Sequence, residues 1–390
     1  MLRSPLDPDA ERYLRECLNK HLSVPEFALR KHPFHSYTNQ ELTLQYQGLS
    51  IAQRKLPTWF NTMGVLYPPK LNLEQTSSER TAQYKSQLVS GNTLADLTGG
   101  FGVDSYYFSR QFKQVWHCEL NEELSRLAAL NFKQLQASSV QAHFGDGMAF
   151  IRDIKADTVY IDPSRRDSVQ KRVFQLSDCV PHVPENLEYI FDHTETVLIK
   201  TSPLLDIQLG LRELQFVAEI HIISVRNEVK ELVWILRQGS SLMPSITTVN
   251  LLSGNDQILK FPSSALSKSV AIYGEPSVYL YEPNASLLKS GAFTYISAHF
   301  NVNKLHPNTH LYTSEKLQSF PGRRFRIKEI IPYRGKKTRL PNQAHITTRN
   351  FPETVSQLRK KLNIKEGGSE YLFFCTLTDD KKVILHCEKA

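Results

Sequence analysis

A glycine-rich turn follows an apolar run near residue 94 and has the composition of a ligand-binding loop. The segment reads Leu94-Ala-Asp-Leu-Thr-Gly-Gly-Phe-Gly-Val-Asp-Ser105, with Asp96 at the end of the apolar run. Glycines let a backbone turn tightly and approach a ligand that side chains would exclude. A dinucleotide site has the pattern G-x-G-x-x-G, and Ser105 stands where its third glycine belongs. The turn therefore favours a ligand without a pyrophosphate, and a structural turn without a ligand is the alternative.

The same segment resembles the D/E-x-G-x-G-x-G turn that binds S-adenosylmethionine (SAM). Asp96 is then the acid that faces the methionine part of the cofactor, and Thr98 replaces the first glycine of the pattern. Gly99, Gly100 and Gly102 supply the rest of the turn. This match predicts SAM as the cofactor.

Two further acids follow the next two apolar runs. Glu119 lies 23 residues after the first acid, close to the offset of about 20 expected for a carboxylate that accepts two hydrogen bonds from a ribose diol. Asp146, followed by Gly147, is expected near the adenine amino group, with Phe144 or Met148 packed on the ring. Because ligands of parallel sheets bind beyond the carboxyl ends of the strands, all these residues can line one pocket.

The segment Tyr160-Ile-Asp-Pro-Ser-Arg-Arg166 follows the fourth apolar run and is the candidate catalytic loop. Methyltransferases of planar amino groups have D/N-P-P-Y here, whose acid and proline carbonyl orient the target NH2 while an aromatic ring stacks on the base. Asp162 and Pro163 fit this role, but Ser164 and Arg165 replace the second proline and the aromatic residue. The guanidinium plane of Arg165 can stack, and Arg166 suits a phosphate. A turn that merely starts a helix is the structural alternative.

Covalent catalysis on a pyrimidine carbon would require a cysteine nucleophile near this loop. The fifth apolar run ends in Lys200-Thr-Ser-Pro203, without a thiol, and Cys179 is more typical of a buried structural cysteine. We therefore predict direct in-line methyl transfer, with Lys200 as a substrate contact.

The elements that position these loops alternate short apolar runs with amphipathic stretches, which is typical of an α/β fold with a mainly parallel sheet. Only five residues join the last two candidate strands, too few for a parallel crossover, so these strands should pair antiparallel. The predicted fold is a Rossmann-like, seven-stranded sheet of the class I methyltransferase type. The candidate strands are 93–97, 114–118, 140–144, 158–161, 197–199, 218–225 and 231–236.

The 390 residues are enough for two or three domains. We predict an N-terminal helical region at 1–75, a SAM-dependent methyltransferase domain at 76–243 and two small C-terminal α+β domains. The first of these, ferredoxin-like, covers 244–320, and the second, basic and THUMP-like, covers 321–390.

Composition predicts a globular cytoplasmic protein. The N-terminus has acids and prolines where a secretory signal needs an apolar run, and no stretch is long and apolar enough to span a membrane. The five cysteines are scattered without a C-x-x-C pair, so we expect neither disulfides nor a metal site.

The positive charge of the chain is concentrated near its C-terminus. Residues 321–390 contain 16 Lys or Arg against 7 Asp or Glu, whereas the preceding residues are nearly neutral. This layout indicates a catalytic body with a module that binds a polyanion, and a solvated lysine-rich surface is the alternative. The predicted phosphate contacts are Arg323, Arg324, Lys336, Lys337, Lys360 and Lys361.

Over nearly its full length the chain resembles bacterial class I SAM methyltransferases that carry a ferredoxin-like domain and a C-terminal THUMP-like domain. The resemblance implies a SAM-binding fold and, by similarity to true THUMP modules, contact with structured RNA such as tRNA or rRNA. The matching segments are Lys55-Leu-Pro-Thr-Trp59, 73–79, 96–102, 162–166, Tyr281-Glu-Pro-Asn284, Phe320-Pro-Gly-Arg323, Arg349-Asn-Phe-Pro352 and 358–361.

The sequence therefore predicts a SAM-dependent methyltransferase that acts on RNA. A methyltransferase of a protein or small molecule, or an RNA-binding protein whose methyltransferase fold is inactive, is the alternative. The basic tail, with aromatic residues among its cations, favours RNA.

Overall fold

The computed structural model describes residues 4–165, 175–240, 243–333 and 340–390, and only the backbone of Arg165. The predicted contacts Arg166, Lys336 and Lys337 lie outside these residues. The chain divides into two compact units. The first is Met1–Glu219 with Glu231–Leu242, and the second is Ile220–Lys230 with Met243–Ala390.

The first unit begins with a helical region, as predicted. Its longest helix starts with a capping box, in which Thr38 and Glu41 exchange hydrogen bonds with each other's backbone N–H groups. On its buried face, the ring of Tyr46 stacks on that of Phe27 at 4.1 Å between centroids. The helices are α1 (Pro8–Asn19), α2 (Val24–Ala28), α3 (Asn39–Lys55), α4 (Pro57–Asn61), α5 (Lys70–Gln75) and α6 (Glu79–Ser86).

All seven predicted strands are present in the main sheet. The strands of this part of the chain are β1 (Thr93–Asp96), β2 (Gln114–Glu119), β3 (Val140–Phe144), β4 (Thr158–Ile161), β5 (Ser164–Arg165), β6 (Cys179–Val180), β7 (Thr196–Thr201), β8 (Val217–Val225) and β9 (Glu228–Arg237). The helices between them are α7 (Val103–Phe108), α8 (Glu122–Gln134), α9 (Gly147–Phe150), α10 (Val183–Phe191) and α11 (Ile207–Glu213).

The strand order of the main sheet is β3-β2-β1-β4-β7-β9-β8, and the first five of these strands are parallel. β9 pairs with β7 antiparallel. Arg226 and Asn227 both have positive φ and join β8 to β9 in a two-residue turn, the geometry of an antiparallel hairpin. The predicted α/β class and the terminal hairpin are confirmed.

The second unit contains the rest of the chain. Its strands are β10 (Ser245–Leu251), β11 (Gln257–Pro262), β12 (Tyr279–Pro283), β13 (Asn303–Lys304), β14 (Tyr312–Ser314), β15 (Gly322–Pro332), β16 (His345–Arg349), β17 (Tyr371–Thr376) and β18 (Lys382–Lys389). Its helices are α12 (Ala265–Lys268), α13 (Ala285–Lys289), α14 (Phe293–Phe300) and α15 (Val355–Leu362).

Strands β12 to β18 form a second, seven-stranded sheet in the order β13-β14-β12-β15-β18-β17-β16. One core cluster includes Phe325 and Phe373, and another includes Leu358 of α15 with Phe374. Since neighbouring residues of β17 enter different clusters, this strand is buried on both faces. This arrangement gives the C-terminal region its small α+β character.

The main sheet is longer than expected, because β10 and β11 extend it beyond β8. In the predicted domain division, residues 244–262 belong to the ferredoxin-like domain. A strand pattern does not reveal which sheet a strand joins, since that depends on long-range pairing. The division into four domains stays a prediction.

None of the described helices is long and apolar enough to cross a membrane. All five cysteines are buried and unpaired with one another.

A buried cluster of charges connects the helical region to the main sheet. Lys85 of α6 has no exposed surface, and its ammonium group lies 3.1 Å from Asp104 of α7 and 2.8 Å from Glu231 of β9. It also donates to the hydroxyl of Ser77 at 2.8 Å. Burial opposes ionisation of Asp104, but Lys85 and Lys200 outweigh it and hold the pKa of Asp104 below its ordinary value. Lys85 therefore neutralises carboxylates that would otherwise be buried uncompensated.

Replacing Lys85 with Met should lower the free energy of unfolding by about 3 to 5 kcal/mol, because it leaves Asp104 and Glu231 buried without their cation. Urea titration followed by circular dichroism measures this change. The exposed Lys133 of α8 provides the control, since Lys133→Met should stay within about 0.5 kcal/mol of the wild type. Equal stability of the two variants would contradict this role for Lys85.

Candidate active site

The glycine turn between β1 and α7 is organised from inside by Asp96. This carboxylate is 1% exposed. It accepts hydrogen bonds from the backbone N–H of Thr98 at 3.1 Å and from the hydroxyl of Ser105 at 2.5 Å. Burial outweighs both hydrogen bonds and raises the pKa of Asp96 to about 7. The residue that stands in place of a third glycine, Ser105, thus helps to hold the acid.

The glycines of the turn serve different purposes. Gly100 has φ +56°, and a Cβ there would meet no atom closer than 3.9 Å, so the space beside it is open to a ligand. Gly102 has φ +86°, and a Cβ there would approach the ring of Phe132 to 2.5 Å. At Gly99 the neighbour is the ring of His117. Gly100 is therefore the position where a bound molecule could contact the backbone.

His117 packs against this turn and was not predicted from the sequence. The residue is on β2 and fully buried, and its Nε2 lies 3.2 Å from the carbonyl oxygen of Gly100. Its Nδ1 is buried, and no described residue forms a hydrogen bond with it. Burial lowers the pKa of His117 to about 4, so the ring is neutral near pH 7. Its only sequence signal is a polar residue inside an apolar strand.

Glu119 ends β2 with its carboxylate fixed against the same turn. Oε2 accepts the N–H of Gly100 at 2.8 Å, and Oε1 accepts the N–H of Asn121 at 2.8 Å. Each oxygen of an ionised carboxylate can accept a further hydrogen bond. The structure thus brings Glu119 and Gly100 together, as the predicted ribose contact requires.

Two of the predicted adenine contacts have structural roles at the end of β3. Asp146 is exposed and caps α9 by accepting the N–H of Met148 at 2.9 Å. Gly147 is buried, and a Cβ there would lie 2.4 Å from the carbonyl oxygen of Leu97. Phe144 is 56% exposed and leaves a free aromatic surface at this edge.

Asp162 connects the catalytic loop to the glycine turn. Its backbone N–H donates to the hydroxyl of Thr98 at 2.7 Å. The residue that departs from the glycine pattern therefore makes the bond that joins the two loops. Pro163 is buried, and Ser164 and Arg165 form the short strand β5, which pairs antiparallel with β6.

Lys200, predicted as a substrate contact, is bound to Asp162. Its ammonium group forms an ion pair with Oδ2 of Asp162. Burial alone would lower the pKa of Lys200, but Asp162, Asp104 and Glu231 outweigh burial and raise it. The lysine therefore stays charged and holds one oxygen of the catalytic candidate.

Comparison with solved structures gives a match over nearly the whole chain. It is the crystal structure of a "putative methyltransferase" from Porphyromonas gingivalis W83, 31% identical, with 98% of each chain covered and a TM-score of 0.86. The chain belongs to this methyltransferase family. Family models match a ferredoxin-like domain at residues 279–321 and a THUMP domain-like segment at 322–389.

More distant matches include a Methanocaldococcus jannaschii tRNA m1G37 methyltransferase, at 16% identity, 45% of this chain, 51% of that chain and a TM-score of 0.30. M. capricolum TrmK, solved with S-adenosyl-homocysteine, matches at 13% identity, 40% of this chain, 68% of that chain and a TM-score of 0.32. Likeness at this level carries no functional argument. No curated protein matches the chain.

The predicted phosphate contacts of this methyltransferase's THUMP-like segment differ in their surroundings. Arg323 donates to the buried carboxylate of Glu282 at 2.6 Å, and Lys361 is paired with Glu353 at 2.7 Å. Arg324 and Lys360 are exposed. Two of the four described cations are thus engaged within the protein.

In the described part of the chain, no group of three or more His, Cys, Asp or Glu residues could hold a metal ion.

The substitution Asp96→Asn should remove a dependence of folding stability on pH that the wild type shows. The folded wild type keeps Asp96 protonated up to about pH 7, whereas the unfolded chain ionises it near pH 4, its ordinary range. The stability contributed by the neutral carboxyl is full below about pH 4 and is lost as the pH rises to about 7, at about 1.4 kcal/mol per pH unit.

Urea titrations of the wild type and Asp96→Asn across this range measure the effect. The variant should gain stability relative to the wild type with rising pH, and the difference should level off above about pH 7. A difference that does not vary with pH would show that Asp96 ionises normally in the folded chain.

Proposed function

We propose that the protein is a SAM-dependent methyltransferase that modifies RNA by direct in-line transfer. The observation that carries this proposal is the bond between Thr98 and the backbone of Asp162. This bond joins the glycine turn to the loop of Asp162 at the carboxyl edge of one parallel sheet, where such sheets bind ligands, and so supports the proposal.

The residues at this edge fit SAM. Glu119 offers two fixed carboxylate oxygens for a ribose diol, and the open side of Gly100 allows close approach to the backbone. Phe144 offers an aromatic surface for adenine, and Asp146 follows two residues further along the chain. Asp96 holds the turn in shape rather than reaching the surface. When bound, SAM supplies an electrophilic methyl group on a sulfonium sulfur.

Asp162 is the residue we assign to the methyl acceptor. Lys200 occupies Oδ2, and among the described residues nothing bonds to Oδ1, so this oxygen can accept an N–H of the acceptor. A carboxylate held in this way can orient an amino group and take up its proton as a general base. Pro163 offers its carbonyl oxygen as a second acceptor.

A thiol intermediate is not supported by the described surroundings of this loop. Cys179 pairs with Arg165 in the short ribbon, is buried, and directs its sulfur toward the carbonyl oxygen of Gln175 at 3.5 Å. A buried thiol held in this way is a poor nucleophile.

RNA is the acceptor that the charge distribution favours. The THUMP-like segment carries most of the excess of cations, and Arg324, Arg326 and Lys360 are exposed on it. Contacts between cations and phosphates supply affinity without sequence preference. An enzyme for a small molecule would not require this segment. We place the reaction in the cytoplasm, in keeping with five unpaired cysteines.

Glu119→Ala should weaken SAM binding at least about tenfold, because charge-assisted hydrogen bonds contribute about 1.5 to 3 kcal/mol. Titration calorimetry on the full chain measures the dissociation constant. Glu122→Ala, an exposed acid in the first turn of α8, is the matched control and should bind SAM like the wild type. SAM affinity unchanged in both Glu119→Ala and Gly100→Val would refute the cofactor site.

Asp162→Ala should reduce methyl transfer by at least about 100-fold while changing SAM affinity less than about threefold, because Asp162 acts on the acceptor. Lys200→Met should also slow transfer, and Lys200→Arg should restore part of it. Transfer of labelled methyl from SAM to total RNA of cells lacking the gene measures the rate.

Folding of each variant is checked by its melting temperature. Wild-type rates in Asp162→Ala would show that this residue is structural. Label that enters protein and not RNA would favour the alternative function, a protein methyltransferase.

A further inference from the structure

A polar cavity of about 770 Å³ lies in the second unit, far along the chain from the candidate active site. It opens where the parallel strands β16 and β17 end, and Asn350, Phe351 and Thr376 line it. The loop before β14 contributes His306 and Asn308. Lys382, at the start of β18, also lines the cavity. Its lining combines amides, an imidazole, an aromatic ring and a cation.

The backbone around this cavity is fixed by buried and partly buried hydrogen bonds. The hydroxyl of Thr376 donates to the carbonyl oxygen of Asn350 at 2.5 Å. The hydroxyl of Thr309 donates to the carbonyl oxygen of Thr376, also at 2.5 Å. Asn350 itself has φ +50°, a left-handed conformation that asparagine tolerates better than most residues. Lys304 donates to the carbonyl oxygen of His306 at 2.7 Å. The walls are therefore set before any ligand arrives.

The hydrogen bonds of His306 determine which amide atoms remain available to a ligand. Its Nδ1 accepts the backbone N–H of Asn308 at 2.9 Å, so this nitrogen carries no proton. The side-chain nitrogen of Asn350 lies 3.1 Å from the same Nδ1 and is the donor to it. The amide oxygen of Asn350 is thus left to accept a hydrogen bond, and Asn308 adds an exposed amide. Both can bond to the edge of a base.

Two lysines contribute positive charge at this cavity, Lys382 in its lining and Lys304 behind His306. Lys304 is 1% exposed and, within the described residues, contacts carbonyl oxygens but no carboxylate. Besides burial, the charges of Lys304 and Arg349 lower the pKa of His310 to about 4. The one acid in the lining, Asp380, is 89% exposed and lies 3.6 Å from His306. Lys382 then adds an exposed cation. This environment favours an anionic ligand.

We propose that this cavity binds an unpaired nucleotide of the RNA substrate, with its phosphate toward Lys382 and its base against Phe351 and the two amides. The inference rests on the proposed function. A base in a duplex has its pairing edge occupied, whereas an unpaired base can enter a cavity, stack on an aromatic ring and bond to amides. A peptide would not require this combination of amides, ring and cation.

Two variants test the site. Lys382→Ala removes the proposed phosphate contact, and Asn308→Ala removes an amide while keeping the backbone N–H bond to His306. Each should weaken binding of a single-stranded oligoribonucleotide to the full chain at least about fivefold. Lys381→Ala is the matched control, because Lys381 is the neighbouring exposed lysine, is paired with Asp379 and does not line the cavity. The control should stay within about twofold of the wild type.

Filter binding at fixed salt gives the affinities, and melting temperatures confirm that the variants fold. Ultraviolet irradiation of the wild-type complex with oligouridylate should crosslink RNA to the peptide that contains Phe351. A nucleoside monophosphate that binds as tightly as the oligomer would overturn RNA as the source of the nucleotide.

The two proposals fail in different ways. Wild-type affinity in both variants, or a crosslink only elsewhere, would overturn the nucleotide cavity while leaving RNA methylation intact. A chain that binds no RNA at all would overturn the proposed function and the cavity together.

Discussion

The structure depends on keeping buried carboxylates neutralised. Asp104 and Glu231 lie inside the first unit, where an unpaired charge would cost several kcal/mol. Lys85 reaches them from the helical region. Lys200 adds its charge to the same cluster and extends it to Asp162 at the surface. One set of charges therefore ties the N-terminal helices to the sheet and fixes the residue assigned to the methyl acceptor.

Other motifs that are distant in sequence also contact one another, through hydrogen bonds from lysine and arginine side chains. In the N-terminal region, Lys55 donates to the carbonyl oxygen of Leu73 at 2.7 Å. In the second unit, Glu282 accepts hydrogen bonds from Arg323 and Arg349, and each of these three residues belongs to a different motif. The segments that carry the family resemblance therefore contact one another in the folded chain. Such pairing maintains the fold, and it explains why Arg323 is less available to RNA than the sequence suggested.

The sequence predicted what local patterns determine. The seven strands follow from short apolar runs, and the hairpin β8–β9 follows from a connection too short for a crossover. The position of Glu119 beside Gly100 follows because parallel strands end at one edge. Contacts across the fold were not predictable. The support given by His117 and the pairing of Lys200 with Asp162 depend on strands distant in sequence, as does the addition of β10 and β11 to the main sheet.

The central claim is that this methyltransferase modifies RNA. Its most direct test is mass spectrometry of the nucleosides of total RNA from cells with and without the gene. The account predicts that one methylated nucleoside is lost without the gene and returns with the wild-type gene but not with Asp162→Ala. An identical set of methylated nucleosides in both strains would contradict it.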